Sequence, residues 1–488
     1  MTTRSRAEPA EPAARIVAAL AARLHAQLIA THISWVLLAG DLAYKIKQPV
    51  RLPFVDYSAL ERRRYFCEEE VRLNRRLAPT MYLGVSRVTG TPEAPEIDGS
   101  GPILDYAVRM RRFAPDALFS DQLAAGTLQA AQVDALAALL ARFHEDAPAA
   151  PAAAGFGGEP RRLAVALAAL RGAAPVAGES ATARLRAWLE HGSAQLAPLW
   201  RSRLDGGRVR ECHGDLHLDN VVTLPGGVAA FDGIEFDPAL RWIDVIDDLA
   251  FAVMDFAARG RRDFAFRLLN GWLDHTGDHA GVPALAFAAA YRALVRAQVE
   301  HLRGRSQPAR GYIDAALCWT RRTAPAFTIT HGLPGSGKTF ESQRLLERTG
   351  AIRLRSDVER KRLFGLAMLA DSRASGVNLY TPDATVRTYA HLYTTARTLL
   401  LAGWPVIIDA AFLRRDERAA ARDVALQARV PFAILHCEAA PEVLRARLAG
   451  RKHDASEADA SVLERLRLDA EPLRPDELAC VIRQPAEP

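Results

Sequence analysis

The chain has 488 residues, of which 49% are hydrophobic and 25% charged, and 63 basic against 57 acidic side chains give a net charge of +6. That is the composition of a globular protein too long for one hydrophobic core, so two or three domains are expected. The small positive excess is spread along the chain apart from clusters such as Arg62-Arg63-Arg64, which fits a solvated basic face and argues against a nucleic-acid stripe. The five cysteines are scattered and form no C-x-x-C pair, which argues against a disulfide frame or a zinc site. No apolar run approaches the roughly 18 residues needed to cross a bilayer. The N-terminus mixes Arg4, Arg6 and Arg15 with Glu8 and Glu11 and has no apolar core, so neither a signal peptide nor a membrane partner is expected, and a cytoplasmic location is.

In chain order, residues 1–12 are polar, and apolar residues then recur at helical spacing from Ala13 to about Leu28. Ser34 to Leu38 and Ala43 to Lys47 are short apolar runs around Gly40-Asp41, which predicts a β-hairpin. Leu60 to Leu77 is a charged, periodic helix. Val85–Val88 and Ala107–Met110 are further strand candidates, completing a small α+β lobe over about 13–112. Leu118 to about Glu145 is predicted helical, and the Ala/Pro/Gly-rich stretch 147–158 breaks it. Helical patterns continue to about Trp200, short strands and turns occupy 207–237, and helices resume from Ile243 to about Arg322.

A third block begins near Thr323. Phe327–Thr330, Ile352–Leu354, Val406–Ile408, Phe432–Leu435 and Val481–Ile482 are strand candidates separated by helical patterns. Alternating β and α units predict a doubly wound parallel sheet. The expected division is therefore 1–322 and 323–488, with the first part split into a small lobe and a helical lobe over about 113–322.

The first chemical signature is His213-Gly214-Asp215-Leu216-His217-Leu218-Asp219-Asn220, followed by Asp232. Phosphoryl transfer rests on positioning and charge neutralisation. It calls for a base, metal-holding oxygens, and a lysine held by a glutamate. Asp215 and Asn220 have D-x-x-x-x-N spacing, and Asp232 follows across a turn at Gly226-Gly227 and a short strand, so all three groups are expected around one small volume. Lys45 lies on the second hairpin strand, with Lys47 on the same strand face as an alternative. Glu70, or its neighbour Glu69, lies on the following helix. Glu235 and Asp237 add carboxylates that could serve the metal or cap a turn.

These residues resemble the aminoglycoside phosphotransferase-like branch of the protein-kinase superfamily. His213-Gly214-Asp215, Asp232-Gly233, Trp242–Val245 and Asp248–Phe251 carry the resemblance, which spans roughly 15–320. It implies that Asp215 is the catalytic base, that Asn220 and Asp232 hold Mg²⁺, and that Lys45 and Glu70 are the phosphate clamp and its anchor. One departure is clear: no G-x-G-x-x-G precedes Lys45, so any phosphate lid falls to the segment 31–41.

The second signature is Gly332-Leu333-Pro334-Gly335-Ser336-Gly337-Lys338-Thr339, a complete P-loop between a strand and a helix. Gly332, Gly335, Ser336 and Gly337 supply backbone N–H groups to the phosphates, Lys338 neutralises their charge, and Thr339 holds Mg²⁺. Asp357 follows the second strand and can take a proton from an acceptor hydroxyl, with Arg360 one turn on as an anion contact. Asp409 closes a buried strand where a metal-orienting carboxylate is expected. Arg445, Arg447 and Arg451 flank a predicted lid, Arg447 and Arg451 one helical turn apart. Over about 325–484 the block resembles small P-loop kinases of the gluconate kinase, zeta-toxin and polynucleotide-kinase type. By that resemblance Asp357 is the general base.

The whole chain resembles a predicted bacterial family that joins these two kinds of domain. The resemblance implies an ATP- and Mg²⁺-dependent bifunctional kinase acting on small-molecule hydroxyls. Two other functions are open to the same residues: a single P-loop kinase with an amino-terminal ligand sensor, and a polynucleotide 5′-hydroxyl kinase. A nucleic-acid partner is not expected, for want of a basic–aromatic stripe. The sequence leaves the acceptors and the oligomeric state open.

Overall fold

The computed structural model describes residues 11–482 apart from 53–54, 152–154, 322–323, 373, 380 and 451–453. Two compact units emerge, Met1–Arg162 with Ala197–Ala252 and Leu163–Leu196 with Val253–Pro488. The helices after Val253 thus pack with the P-loop block, while the division near residue 322 follows motif content.

The first unit opens on strands β1 (Gln27–Ala30), β2 (Ser34–Ala39), β3 (Leu42–Lys47), β4 (Arg51–Leu52) and β5 (Val55–Asp56). Strands β6 (Tyr82–Thr91), β7 (Ala94–Ile97) and β8 (Ile103–Arg111) follow a helix over Leu60–Asn74. Six of them form one antiparallel sheet in the order β1-β2-β3-β8-β6-β7. Alternation along β3 assigns its two faces. Tyr44 and Ile46 pack with Val17 and Leu20 of the helix Glu11–Arg23. Ala43 packs with Cys67 and Val71 of the helix Leu60–Asn74 on the other face. Lys45 and Lys47 share the Ala43 face by the period of two, so both point toward the helix that carries Glu70.

Beyond this sheet lie β9 (Val209–Glu211), β10 (Val221–Leu224), β11 (Gly227–Ala230) and β12 (Trp242–Asp244). The β10–β11 hairpin pairs Val221 with Ala230. That register sets Asn220 and Asp232 at its open end, and Phe231 N–H donates to Asn220 O at 3.0 Å.

In the second unit, β13 (Phe327–His331), β14 (Ile352–Arg355), β15 (Val406–Asp409), β16 (Phe432–His436) and β17 (Val481–Ile482) form a parallel sheet in the order β14-β15-β13-β16-β17. β13 and β15 are buried along their whole length, as expected for parallel strands covered on both faces. The P-loop leaves the C-terminal end of β13, and the register sets Arg355 of β14 beside Asp409 of β15 at the same end. The helices Arg262–Thr276, Val282–Leu302 and Ser306–Trp319 also belong to this unit.

Two local expectations need correction. The first helix ends at Arg23, and 27–30 is the exposed strand β1. The helix expected over 118–145 is broken around Gly126, which has φ +71°, into Phe119–Ala124 and Ala130–Asp146.

Candidate active sites

In the first unit the predicted clamp is assembled. Lys45 Nζ donates to Glu70 Oε1 at 2.9 Å and also pairs directly with Asp232. Glu70 is fully buried and uses its other oxygen to pair with Lys47. Lys47 in turn pairs with Glu235, which accepts from the Tyr57 hydroxyl. Lys45 and Lys47 are thus partners of one carboxylate. Glu69 points elsewhere, into ion pairs with Arg72 and Arg241 at 2.6 and 2.9 Å.

The electrostatics follow from this packing. Burial works against a charge on Lys45, but Asp232 and Glu70 outweigh it and hold its pKa well above the ordinary lysine value. Burial likewise works against charge on Asp232, yet Lys45 holds that carboxyl below its ordinary value. Asp215 is close enough to act on Asp232 in the opposite sense.

The His213–Asn220 loop is fixed from several directions. Asn220 Nδ2 donates to Asp215 O at 2.9 Å and to Asp215 Oδ2 at 3.3 Å. His213 Nε2 lies 2.9 Å from Phe231 O, tying the loop to the end of β11. Gly214 has φ +84°, and a Cβ there would meet Leu240 O at 2.7 Å, so only glycine fits. Asp248 accepts from the backbone N–H groups of His213 and Gly214 at 3.1 and 2.8 Å, and its Oδ2 lies 3.1 Å from His144 Nε2. His144, Cys212 and Asp248 converge closely enough for a metal, but those three hydrogen bonds already occupy Asp248. Asp232 has φ +62°, and its N–H donates to the Tyr82 hydroxyl oxygen at 3.1 Å. The next N–H, of Gly233, donates to Asn74 Oδ1 at 2.8 Å. Asp237 caps a short helix through Ala239 N–H.

Sequence reasoning missed Tyr57, Asn74, Tyr82 and His144. Tyr57 meets Glu235, Tyr82 meets Asp232, Asn74 meets Gly233 and His144 meets Asp248, all across long sequence separations, and none has a spacing signal of its own. Thr31 to Ile33 forms the tight turn between β1 and β2, held by Thr31 Oγ1 accepting from Ser34 N–H at 3.0 Å.

In the second unit the P-loop borders a cavity of about 1120 Å³. Lys338, Thr339, Asp357, Arg360, Asp409 and Arg447 all line it. Gly335 and Gly337 have φ +84° and +97°, and a Cβ on Gly332 would meet Cys437 O at 2.2 Å and Ser336 Oγ at 2.7 Å. Lys338 Nζ donates to Leu333 O at 2.9 Å, folding back over the loop. Ser336 Oγ is buried and has no hydrogen-bond partner among the described residues. Arg447 Nη1 reaches Gly335 O at 3.1 Å. Asp357 lies in the first turn of the helix Ser356–Leu363 and does not cap it. Arg360 is buried on the same helix, and Asp409 is buried at the end of β15. Arg445 pairs with Glu464 on the surface at 2.8 Å, and Arg451 lies outside the described residues.

The fold combines an amino-terminal α+β domain with a kinase-like fold and a carboxy-terminal P-loop domain with a parallel sheet. Residues 327–473 match the AAA domain family AAA_33. The protein called Uncharacterized protein Rv2004c of Mycobacterium tuberculosis (strain ATCC 25618 / H37Rv) is 31% identical over 443 residues, covering 88% of this chain and 87% of that one. Uncharacterized protein Mb2027c of Mycobacterium bovis matches equally well. The chain belongs to the family of these mycobacterial proteins. Among solved structures, a choline kinase from Cryptosporidium parvum Iowa II covers 60% of this chain and 88% of its own at 9% identity, with a TM-score of 0.39. A gluconokinase from Sinorhizobium meliloti 1021 covers 33% and 82% at 19% identity, with a TM-score of 0.26. No helix among the described residues is long and apolar enough to cross a membrane.

Proposed function

We propose that the protein is an ATP- and Mg²⁺-dependent phosphotransferase with two active centres, each passing the γ-phosphoryl group to a hydroxyl of a small-molecule acceptor. The observation that carries this reading is the convergence of Lys45, Glu70, Asp232, Asp215 and Asn220 in one unit, alongside a complete P-loop cavity in the other. The residues fit the nucleotide. The buried, unpartnered Ser336 Oγ and the glycine cradle at 332, 335 and 337 leave polar groups and space that a phosphate would satisfy. Bound Mg²⁺ would neutralise charge on the transferred group, held by Asn220 and Asp232 in one centre and by Thr339 and Asp409 in the other.

Within the amino-terminal centre, Asp215 accepts the acceptor's hydroxyl proton as the new O–P bond forms and the β–γ bridge of ATP breaks. Lys45, anchored by Glu70, holds the α/β-phosphates. In the P-loop centre Asp357 takes the proton, and Lys338, Arg447 and Arg451 stabilise charge on the phosphoryl oxygens. Arg360 holds an anionic part of the acceptor.

One observation favours a second reading, in which only the P-loop centre is catalytic and the amino-terminal unit senses a ligand. Lys45 pairs directly with Asp232, so this carboxylate must exchange that partner for a metal before catalysis.

The test is a metabolite extract supplied with ATP and Mg²⁺, with wild type, Asp215→Ala and Lys338→Ala compared for new phosphorylated masses. Two centres predict one product lost in each variant. Loss of every product in Lys338→Ala and of none in Asp215→Ala supports the sensor reading. No product from wild type would count against both.

A further inference from the structure

The P-loop cavity is built on β14, the edge strand of its sheet, and a helix outside the residues matched to the AAA domain family holds that strand. The Asn270 side chain imitates a neighbouring strand. Its Oδ1 accepts from Arg353 N–H at 2.7 Å and its Nδ2 donates to Ala351 O at 3.0 Å. One turn on, Asp274 Oδ2 lies 3.2 Å from Arg353 Nη2 and 3.5 Å from Arg355 Nη1.

These two arginines lead to two different segments that line the P-loop cavity. Arg353 is buried, and its Nη1 donates to Thr339 O at 3.3 Å, on the first turn of the P-loop helix. Arg355 lines the cavity, and its Nη2 reaches Asp454 Oδ1 at 3.3 Å, in the segment that leads from the predicted lid to the helix beginning at Ala460. Both are charged side chains in a largely buried setting, where an unpaired guanidinium is costly. Burial works against charge on Arg355, but Asp274, Asp409, Asp454 and Asp357 together hold its pKa above the ordinary value. The helix end is itself tied down, since Arg362 Nη2 donates to Asp274 O at 2.7 Å.

We propose that Asp274 is a positioning residue for the P-loop site, orienting Arg353 against the P-loop helix and Arg355 against the lid-side Asp454. The proposal rests on the P-loop being a nucleotide site and adds a control element to it. A change in the helix Arg262–Thr276 would then reach both walls of the cavity through one carboxylate.

Hydrogen exchange on the full chain tests this without an acceptor. Adding ATP and Mg²⁺ should protect the peptide 332–342 in wild type and leave it unprotected in Lys338→Ala. If Lys338→Ala is protected like wild type, the P-loop reading itself fails. With that control passed, Asp274→Asn should need about tenfold more ATP for the same protection and should exchange faster at 454–458. Asp274→Glu should recover both effects in part. Unchanged protection in both segments overturns the proposal. So does a uniform rise in exchange across the whole parallel sheet, because Asp274 would then serve stability alone.

Discussion

Glu70 and Glu69 are adjacent on one helix and have different surroundings. Glu70 is fully buried between two lysines, so removing its charge leaves Lys45 and Lys47 short of a partner. Glu70→Gln is therefore expected to lower the Asp215-dependent rate by about 10²-fold. Glu69→Gln breaks its links to Arg72 and Arg241 and should change that rate by less than about threefold, since it touches none of the reacting groups. Rates of the amino-terminal product, with melting temperatures of both variants, check the contrast; equal losses would return the anchor role to either residue. Asp248 gives a second prediction. Burial raises its pKa, but the His144 hydrogen bond, its charge partners and the loop N–H groups hold it down to about 2. A folded value below the unfolded one means stability that is fully present above about pH 4 and is lost as the pH falls toward 2, amounting to about 2 kcal/mol. Asp248→Asn should flatten the pH dependence of chemical unfolding in that window, and should cost about 3 kcal/mol near neutrality by spoiling the loop's acceptor.

At the scale of elements, the His213–Asn220 loop and the P-loop both depend on glycines with no tolerated replacement. Gly214→Ala would force a Cβ against Leu240 O in a left-handed backbone, and should destabilise the first unit by about 2–4 kcal/mol. Gly332→Ala drives a Cβ into Cys437 O, which should separate the P-loop from the end of β16 and abolish nucleotide protection of 332–342. Denaturant titration of the first variant and hydrogen exchange on the second measure these effects. Such elements were the legible part of the sequence. Short strand candidates alternating with helical patterns, continuously apolar at β15 and β16, announced the parallel sheet, and the D-x-x-x-x-N spacing, with a hairpin before Asp232, announced the open end at Asn220. Strand β1 was illegible because all four of its residues are exposed and its apolar Leu28 continues the helical spacing of the residues before it. The Lys45–Lys47 ambiguity could not be settled from alternation because both lysines really do face Glu70. Tyr57, Asn74, Tyr82 and His144 reach Glu235, Gly233, Asp232 and Asp248 across separations of 104 to 178 residues, which no local pattern encodes.

At the scale of the whole molecule, the proposed pair of phosphate-handling sites makes a stoichiometric claim. Calorimetric titration of the full chain with a non-hydrolysable ATP analogue and Mg²⁺ should give two equivalents. Lys338→Ala removes the cation over the P-loop, and Lys45→Met removes the phosphate clamp; each should leave one equivalent, and the double variant none. The amino-terminal equivalent should be the weaker. Asp232, the proposed metal ligand, is paired with Lys45, so binding there must first break a strong ion pair, whereas the P-loop presents a Ser336 hydroxyl with no partner among the described residues and a glycine cradle. Lys47 is the internal control for that difference. It keeps Glu70 in place from the far side, so Lys47→Met should weaken the same equivalent without touching the P-loop one. A single equivalent lost only with Lys338→Ala would leave the amino-terminal unit without a nucleotide, and its ligand would then have to be sought among compounds that can displace Lys45 from Asp232.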